Sequence, residues 1–210
     1  MHLEEKQLKY LKGTTTVGLA CKDGVILATD TRATAGYLIA SKQAQKLYKV
    51  SDNIGVTVAG GVGDTQGLVR ALRAQADYYR MSEGVPLGVR AAAKLVANIL
   101  HTYRLFPYLA VLLVAGVDES GPRLCFVSLD GSLIEEKKVA TGSGSPVAHG
   151  VIESEFREDM AVEEALPIAI KALKTAMKRD IATGNEVKVA TLTKAGYREL
   201  SPEEIKKLAS

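Results

Sequence analysis

The pattern of apolar and polar positions divides the chain into alternating groups of strands and helices. Short apolar runs rich in β-branched residues predict strands at residues 15–21, 24–30, 38–41, 46–50 and 54–59. Apolar residues at helical spacing then predict a helix over residues 65–81 and another from Pro86 to Leu100. Further strands are predicted at residues 108–117, 123–128, 133–136 and 138–140, followed by helices at 147–156 and 162–181, a strand at 187–192 and a helix at 202–208.

This order of elements predicts an α+β fold in which sheets pack together and a pair of helices covers each outer side. Residues 108–117 are apolar almost throughout, as expected for a strand covered on both faces. We expect residues 38–41 and 46–50 to pair with each other. The first dozen residues are polar and stand outside the pattern, so a single domain is predicted over residues 14–210.

Composition and charge exclude several classes of protein. The net charge is only +3 and the basic residues are dispersed, which disfavours a nucleic-acid partner. Cys21 and Cys125 lie far apart in strand-like segments, so we expect two buried free thiols and no metal or cofactor. Residues 105–117, the longest apolar run, are too few to span a membrane, and residues 1–12 lack the apolar core of a secretory signal. A cytoplasmic protein is expected.

The sequence offers little support for histidine-based or nucleotide chemistry. Its three histidines are His2, His101 and His149, and none lies in a turn typical of a catalytic site, which disfavours a Ser-His-Asp or Cys-His arrangement. The glycine-rich segment at residues 61–67 has its third glycine one place too late for a dinucleotide fingerprint. The segment at residues 142–146 lacks the lysine of a phosphate loop.

A threonine nucleophile remains, and it needs a base. An N-terminal α-amine is an economical one, since its unperturbed pKa of about 8 is close to neutral pH. Gly13-Thr14-Thr15-Thr16-Val17-Gly18 offers a threonine that can become the first residue, because Gly13 has no side chain to crowd the bond to be cut. The same residues are also typical of an ordinary strand, since threonine and valine favour strands.

Six motifs in chain order resemble those of proteasome β-subunits, between about Thr14 and Leu200. They are residues 13–18; Asp30-Thr31-Arg32; Lys46 within Ala44-Gln45-Lys46-Leu47-Tyr48; Ala59-Gly60-Gly61-Val62-Gly63-Asp64; Thr141-Gly142-Ser143-Gly144-Ser145; and Arg179-Asp180 followed by Thr183-Gly184. The resemblance implies a four-layer αββα sandwich of two antiparallel sheets flanked by helix pairs, the fold of N-terminal nucleophile hydrolases. It also implies that residues 1–13 are a removable leader, cut autolytically between Gly13 and Thr14.

The resemblance further implies a role for each motif residue. Thr14 would be the nucleophile of a threonine endopeptidase, with its freed amine as the base. Lys46, paired with Asp30, would favour the deprotonated hydroxyl, and the Gly60 amide would stabilise the oxyanion. Ser143, Asp180 and Thr183 would orient the amine and a water. Thr183 stands where the family usually has serine, and its added methyl restricts its rotamers.

Substrate and partners follow from the same resemblance. Ala33, Ala44, Tyr48, Val58 and Val62 would line an uncharged pocket that selects hydrophobic residues before the cut, the specificity called chymotrypsin-like. Thr34, Gly60 and Val62 would hold the substrate main chain as an added strand. The family assembles as four stacked seven-membered rings, two of β-subunits between two of α-subunits, and an ATP-dependent unfoldase ring supplies unfolded proteins. The short leader and the complete set of site residues resemble the archaeal type.

Two alternatives remain at this point. The chain could be a catalytically silent structural β-subunit of a mixed ring, although such subunits usually lack the threonine or the lysine. It could also be another enzyme with an N-terminal nucleophile, such as an amidase or the bacterial two-ring relative. The Gly-Ser-Gly-Ser loop and the chain length favour the 20S type.

Overall fold

The computed structural model describes residues 13–209. Within them it has twelve strands and five helices. The strands are β1 Thr15–Ala20, β2 Gly24–Asp30, β3 Ala33–Ala35, β4 Leu38–Ser41, β5 Leu47–Lys49, β6 Ile54–Gly60, β7 Ala110–Asp118, β8 Gly121–Val127, β9 Leu133–Glu135, β10 Lys138–Gly142, β11 Val187–Thr193 and β12 Gly196–Glu199. The helices are α1 Val62–Glu83, α2 Val89–Thr102, α3 Ser145–Glu155, α4 Val162–Met177 and α5 Pro202–Leu208.

Two five-stranded sheets form the centre of the molecule. The first sheet has the strand order β10-β1-β2-β11-β12 and the second the order β5-β6-β7-β8-β9. All neighbours in both sheets are antiparallel. The strands β3 and β4 form a separate small hairpin. In the first sheet, β1 lies between β10 and β2, so the chain that follows residue 14 is fixed on both sides.

Three apolar clusters hold the layers together. One lies between the first sheet and the helices α3, α4 and α5, and a second between the second sheet and the helices α1 and α2. The third fills the space between the two sheets. Alternation along a strand divides its side chains between clusters: in β7, Leu112 contributes to the second and Leu113 to the third. The predicted α+β sandwich with four layers in the order αββα is therefore confirmed.

Several local predictions were wrong. The strand β4 pairs with the unpredicted strand β3, and β5 pairs with β6, so residues 38–41 and 46–50 are not partners. The strand β12 was also missed, because Gly196–Glu199 is short and polar. The strand predicted at residues 138–140 is longer than expected, because Thr16 and Thr15 of β1 extend the pairing of β10 to residues 141 and 142.

The predicted helix over residues 162–181 ends earlier, at Met177. The amides of Lys178 and Arg179 donate to carbonyls only three residues earlier, those of Thr175 and Ala176, at 3.2 and 3.0 Å, so the chain tightens and the α-helical ladder ends there. Both cysteines are free and buried, as predicted. Among residues 13–209, no helix is long and apolar enough to cross a membrane. The leader prediction falls largely on residues 1–12, which lie outside the described residues.

Candidate active site

Thr14 directly precedes the strand β1, which is paired on both sides. It is only 5% exposed. The next residue, Thr15, is opposite Gly142 of β10, and Thr16 is opposite Thr29 of β2. Because β1 is paired on both sides, the Thr14 backbone has little freedom to move relative to the ends of those two strands.

Asp30, the last residue of β2, is a fully buried carboxylate surrounded by donors. Its Oδ1 accepts from the Lys46 Nζ at 2.7 Å and from the Thr15 amide at 3.0 Å. Its Oδ2 accepts from the Arg32 amide at 3.0 Å and from the Gly184 amide at 2.9 Å. A buried carboxylate is tolerated when it is paired and hydrogen-bonded. Asp30 therefore ties the start of β1 to Lys46 and to the segment that follows α4.

Lys46 precedes β5 and directs its ammonium into the same place. Besides Asp30, its Nζ donates to the Arg32 carbonyl at 2.6 Å and to the Gly13 carbonyl at 3.3 Å. The three protons of the ammonium thus have three acceptors. Burial lowers the pKa of Lys46 below its ordinary value, and the charge of Asp30 opposes that shift.

The Gly13 carbonyl oxygen is shared by the two groups of greatest chemical interest. The Thr14 Oγ1 donates to it at 2.7 Å, and the Lys46 ammonium donates to it at 3.3 Å. Gly13 has φ of 139°, and a Cβ there would lie 2.4 Å from the Thr34 Oγ1. Both facts favour glycine at this position. The bond between Gly13 and Thr14 is therefore held beside a hydroxyl and a buried cation.

A second group of side chains lies against Thr14 from the other side. The Ser143 Oγ donates to the Asp180 Oδ2 at 2.5 Å and lies 3.4 Å from the Thr14 carbonyl oxygen. The Thr183 hydroxyl donates to the same Asp180 oxygen and lies 2.6 Å from the Thr15 Oγ1. In Thr183 the hydroxyl thus makes both contacts despite the extra methyl. Thr14, Asp30, Lys46, Ser143, Asp180 and Thr183 therefore belong to one connected network of hydrogen bonds.

Gly60 stands outside that network, at the end of β6. Its φ is 138°, and a Cβ there would lie 2.0 Å from the Leu109 carbonyl oxygen, so the backbone itself requires glycine. Its strand is linked to Lys46, because the amide of Val58, two residues earlier in β6, donates to the Lys46 carbonyl at 2.9 Å.

The residues predicted to bind substrate are not uniformly accessible. Ala33, Thr34 and Ala44 are partly exposed, whereas Val62, at the start of α1, is 57% exposed. Tyr48 and Val58 are buried in the cluster between the second sheet and α1. A cavity of about 420 Å³ opens nearby, but it shares only Ala44 with this set. Its lining residues are Thr31, Gln43, Ala44, Gln45, Lys46, Leu47, Glu186, Lys188 and Glu199.

Sequence reasoning missed the part played by Arg32. Its Nη1 donates to the Ile181 carbonyl at 2.7 Å and its Nε to the Asn185 Oδ1 at 3.0 Å. A Cβ on Gly184 would lie 2.4 Å from the guanidinium, so that loop packs directly on Arg32. Arg32 was part of a recognised motif, but its contacts join residues about 150 positions apart and no local pattern reveals them.

Residues 13–209 offer little support for a cysteine nucleophile or a metal site. Burial raises the pKa of Cys21 to about 12 and that of Cys125 to about 11, so neither thiol is a nucleophile near neutral pH. Within residues 13–209, no cluster of three or more histidine, cysteine or carboxylate residues could hold a metal ion.

The match to a family profile and the matches to individual proteins point to the same family. A profile of the family described as "Proteasome subunit" matches residues 10–192. "Proteasome subunit beta" of Methanocaldococcus vulcanius is 54% identical over 200 residues, covering 94% of this chain and 90% of the relative. Proteins of the same name from Ferroglobus placidus and Methanothermobacter thermautotrophicus are 50% and 48% identical, each covering 94% of both chains.

Proposed function

Because this chain belongs to the proteasome subunit family, as a β-subunit of the archaeal type, we propose that it is a threonine endopeptidase that frees its own nucleophile. Its relatives support a peptidase that assembles with other proteasome subunits. The finer proposal is that Thr14 becomes the N-terminal residue after the bond to Gly13 is cut. The observation that carries it is the Gly13 carbonyl oxygen, which accepts from the Thr14 hydroxyl at 2.7 Å and from the buried Lys46 ammonium at 3.3 Å.

Cutting begins when the Thr14 Oγ1 attacks the Gly13 carbonyl carbon. Negative charge then develops on the carbonyl oxygen, where the Lys46 ammonium already donates. The C–N bond breaks, the proton lost from the hydroxyl goes to the leaving nitrogen, and an ester joins Gly13 to Thr14. Water hydrolyses this ester, releases residues 1–13 and leaves a free α-amine on Thr14.

The freed subunit then cuts peptides with the same groups. The α-amine takes the proton of the Thr14 hydroxyl, directly or through a water, as the oxygen attacks the substrate carbonyl. The Lys46 ammonium, fixed by Asp30, favours the deprotonated hydroxyl. Ser143, Asp180 and Thr183 orient the amine and its water, and the Gly60 amide donates to the oxyanion. The substrate C–N bond breaks, its nitrogen takes the proton from the α-amine and leaves, and an acyl-enzyme ester forms; water hydrolyses that ester and restores the Thr14 hydroxyl.

The proposed substrates are unfolded proteins cut after hydrophobic residues. Ala33, Ala44, Tyr48, Val58 and Val62 carry no charge, so a pocket built from them offers no partner to an acidic side chain. We further propose that the chain works in the cytoplasm within the family's four-ring particle, supplied by an ATP-dependent unfoldase.

The test uses full-length chain co-expressed with an archaeal α-subunit and recovered as assembled particles. Mass spectrometry should find a chain that begins at Thr14, and the particles should hydrolyse a peptide that ends in an aromatic residue much faster than one that ends in glutamate. Thr14→Ala should retain residues 1–13 and lose hydrolysis, whereas Thr102→Ala, a matched change on the exposed end of α2, should do neither. Undiminished hydrolysis by Thr14→Ala particles would show that Thr14 is not the nucleophile, and assembled wild-type particles that hydrolyse neither peptide would support a silent structural subunit.

A further inference from the structure

We propose that the hydroxyl of Tyr48 is a positioning group for Lys46, and that Arg73 holds Tyr48 in that role. This inference rests on the proposed function, since it concerns the residue that supplies the cation of the site. It gives Tyr48 a task beyond that of a wall residue in the substrate pocket, and it brings a residue of α1 into the support of the site.

The hydroxyl of Tyr48 closes the short segment that contains Lys46. Its Oη donates to the Gln45 carbonyl at 2.9 Å, so the hydrogen bond returns from β5 to the residue just before Lys46. Tyr48 is 6% exposed, and buried tyrosine hydroxyls usually find a partner. Burial raises the pKa of Tyr48, so its hydroxyl stays protonated and able to donate at neutral pH.

The segment needs such a bond because it lies at the edge of the second sheet. The strand β5 has three residues and is paired on one side only, with β6. Beyond Leu47, the backbone bond from the Val58 amide to the Lys46 carbonyl, at 2.9 Å, extends this pairing by one residue. The Tyr48 hydroxyl therefore holds Gln45 at the point where the sheet stops supporting the chain.

Arg73 of α1 fixes both the ring and the strand of Tyr48. Its guanidinium carbon lies 5.9 Å from the centroid of the Tyr48 ring, within the range of a cation–π contact. Its Nε also donates to the Lys49 carbonyl at 2.7 Å. Arg73 thus contacts β5 at both the Tyr48 ring and the Lys49 backbone. The series of contacts runs from Arg73 through Tyr48 and Gln45 to Lys46.

The two roles of Tyr48 can be separated because the leader ends in glycine. Removal of the leader places Gly13 before the cut, and Gly13 has no side chain for a pocket wall to contact. A residue that acts only as a wall therefore matters for peptides with a large residue before the cut and not for leader removal. A residue that positions Lys46 affects both leader removal and peptide cleavage, and it affects the cleavage of peptides that end in alanine and in phenylalanine by the same factor.

The experiment compares Tyr48→Phe, which removes only the hydroxyl, with wild type and with the control Tyr79→Phe. Tyr79 packs against the same apolar cluster from α1. Purified full-length chain is mixed with α-subunit, the fraction of chains that begin at Thr14 is followed by mass spectrometry, and kcat and KM are then measured on both peptides. For Tyr48→Phe we expect leader removal and kcat to fall about 5-fold, by the same factor for both peptides and with little change in KM, as for loss of one hydrogen bond.

The proposal is overturned if Tyr48→Phe removes its leader at the wild-type rate, or if only the phenylalanine peptide is affected. Arg73→Gln and Arg73→Lys provide a second test should Tyr48→Phe fail to assemble: the glutamine variant should show the same uniform loss, and lysine, which keeps the cation, should restore most of it. Equal rates of leader removal and equal kcat in Arg73→Gln and Arg73→Lys would also overturn the proposal. Failure of the proposed function is recognised separately, by hydrolysis in Thr14→Ala particles.

Discussion

At the scale of the residue, the network around Asp30 and Lys46 contains two buried charges that satisfy each other. Asp30 accepts four hydrogen bonds and Lys46 donates three, so removal of either side chain leaves the other as an unpaired buried charge. Such a loss is strongly destabilising, whereas the intact pair adds little net stability. The pair therefore fixes geometry at this point more than it stabilises the fold.

The lowered pKa of Lys46 leads to a prediction about alkaline pH. Burial lowers it, Asp30 raises it again in part, and the nearby charges of Arg32 and Asp180 act in opposite directions. Because the proposed chemistry needs the cation, activity should be lost as pH rises through the lowered pKa, below the ordinary value of 10.5. The alkaline limb of kcat/KM against pH should therefore lie below 10.5.

The control for this prediction is Lys46→Arg, whose guanidinium stays charged throughout the range. Any residual activity of that variant should show no alkaline limb of this origin. A wild-type profile that stays flat up to pH 10.5 would contradict the assignment of the cation to Lys46.

Gly13→Ala should slow the removal of the leader. The residue has φ of 139°, and the new Cβ would lie 2.4 Å from the Thr34 Oγ1, so the carbonyl must turn away from the Thr14 hydroxyl or Thr34 must shift. We expect a loss of about 10-fold or more in the rate at which chains beginning at Thr14 accumulate, measured by mass spectrometry. Gly150→Ala in α3, where a Cβ would meet nothing within 4 Å, should process normally.

At the scale of the element, the site depends on how the chain leaves α4. Residues 178–186, which follow α4, carry Asp180 and Thr183. This segment accepts hydrogen bonds from Arg32, and its Glu186 amide donates to the Thr31 hydroxyl at 3.0 Å. The end of β2 thus organises a loop that comes much later in the chain. Most of these contacts are made by polar groups rather than by apolar packing, so their loss should affect geometry before stability.

Arg32→Met should therefore lower activity more than stability. The change removes the hydrogen bonds to Ile181 and Asn185 but keeps an apolar side chain of similar length over Gly184. We expect kcat to fall about 10-fold, with a change of only a few degrees in the thermal midpoint of assembled particles. Arg70→Met, on the exposed face of α1, is the control. Equal losses of kcat in the two variants would show that the loop does not depend on Arg32.

The elements differ in how far the sequence predicts them. The strands β1, β2, β6 and β7 are long apolar runs, and the sequence places them to within one or two residues. The strands β3 and β12 have only three and four residues and bury little, so no alternation of apolar and polar residues marks them in the sequence. The motifs likewise name Thr14, Asp30 and Lys46, but the contacts of Arg32 arise only when distant strands and loops meet.

At the scale of the whole molecule, the two sheets face each other through a thin apolar layer. Leu113 and Leu124 of the second sheet pack there against Val25 and Leu27 of β2, the strand that ends in Asp30. We therefore expect a change in the spacing of the sheets to reach the strand that bears this carboxylate.

Leu113→Ala should destabilise the subunit by about 2–5 kcal/mol, because the side chain is fully buried and a cavity would remain between the sheets. Calorimetry of assembled particles should show this as a lower thermal midpoint. Leu105→Ala removes the same atoms from a side chain that is 82% exposed on the single chain, so it opens no cavity inside the subunit and should lower the midpoint less. A similar midpoint for the two variants would mean that the layer between the sheets repacks without loss.

The shared oxygen of Gly13 has a consequence for the order of events in the life of the subunit. Under the proposed chemistry, the first peptide that each copy cleaves is its own, and it can do so only once β2 has brought Asp30 to the lysine that precedes β5. Under that chemistry, a chain that has not yet folded would be unable to cut other proteins. The ability to cut other proteins would thus depend on the fold of each copy.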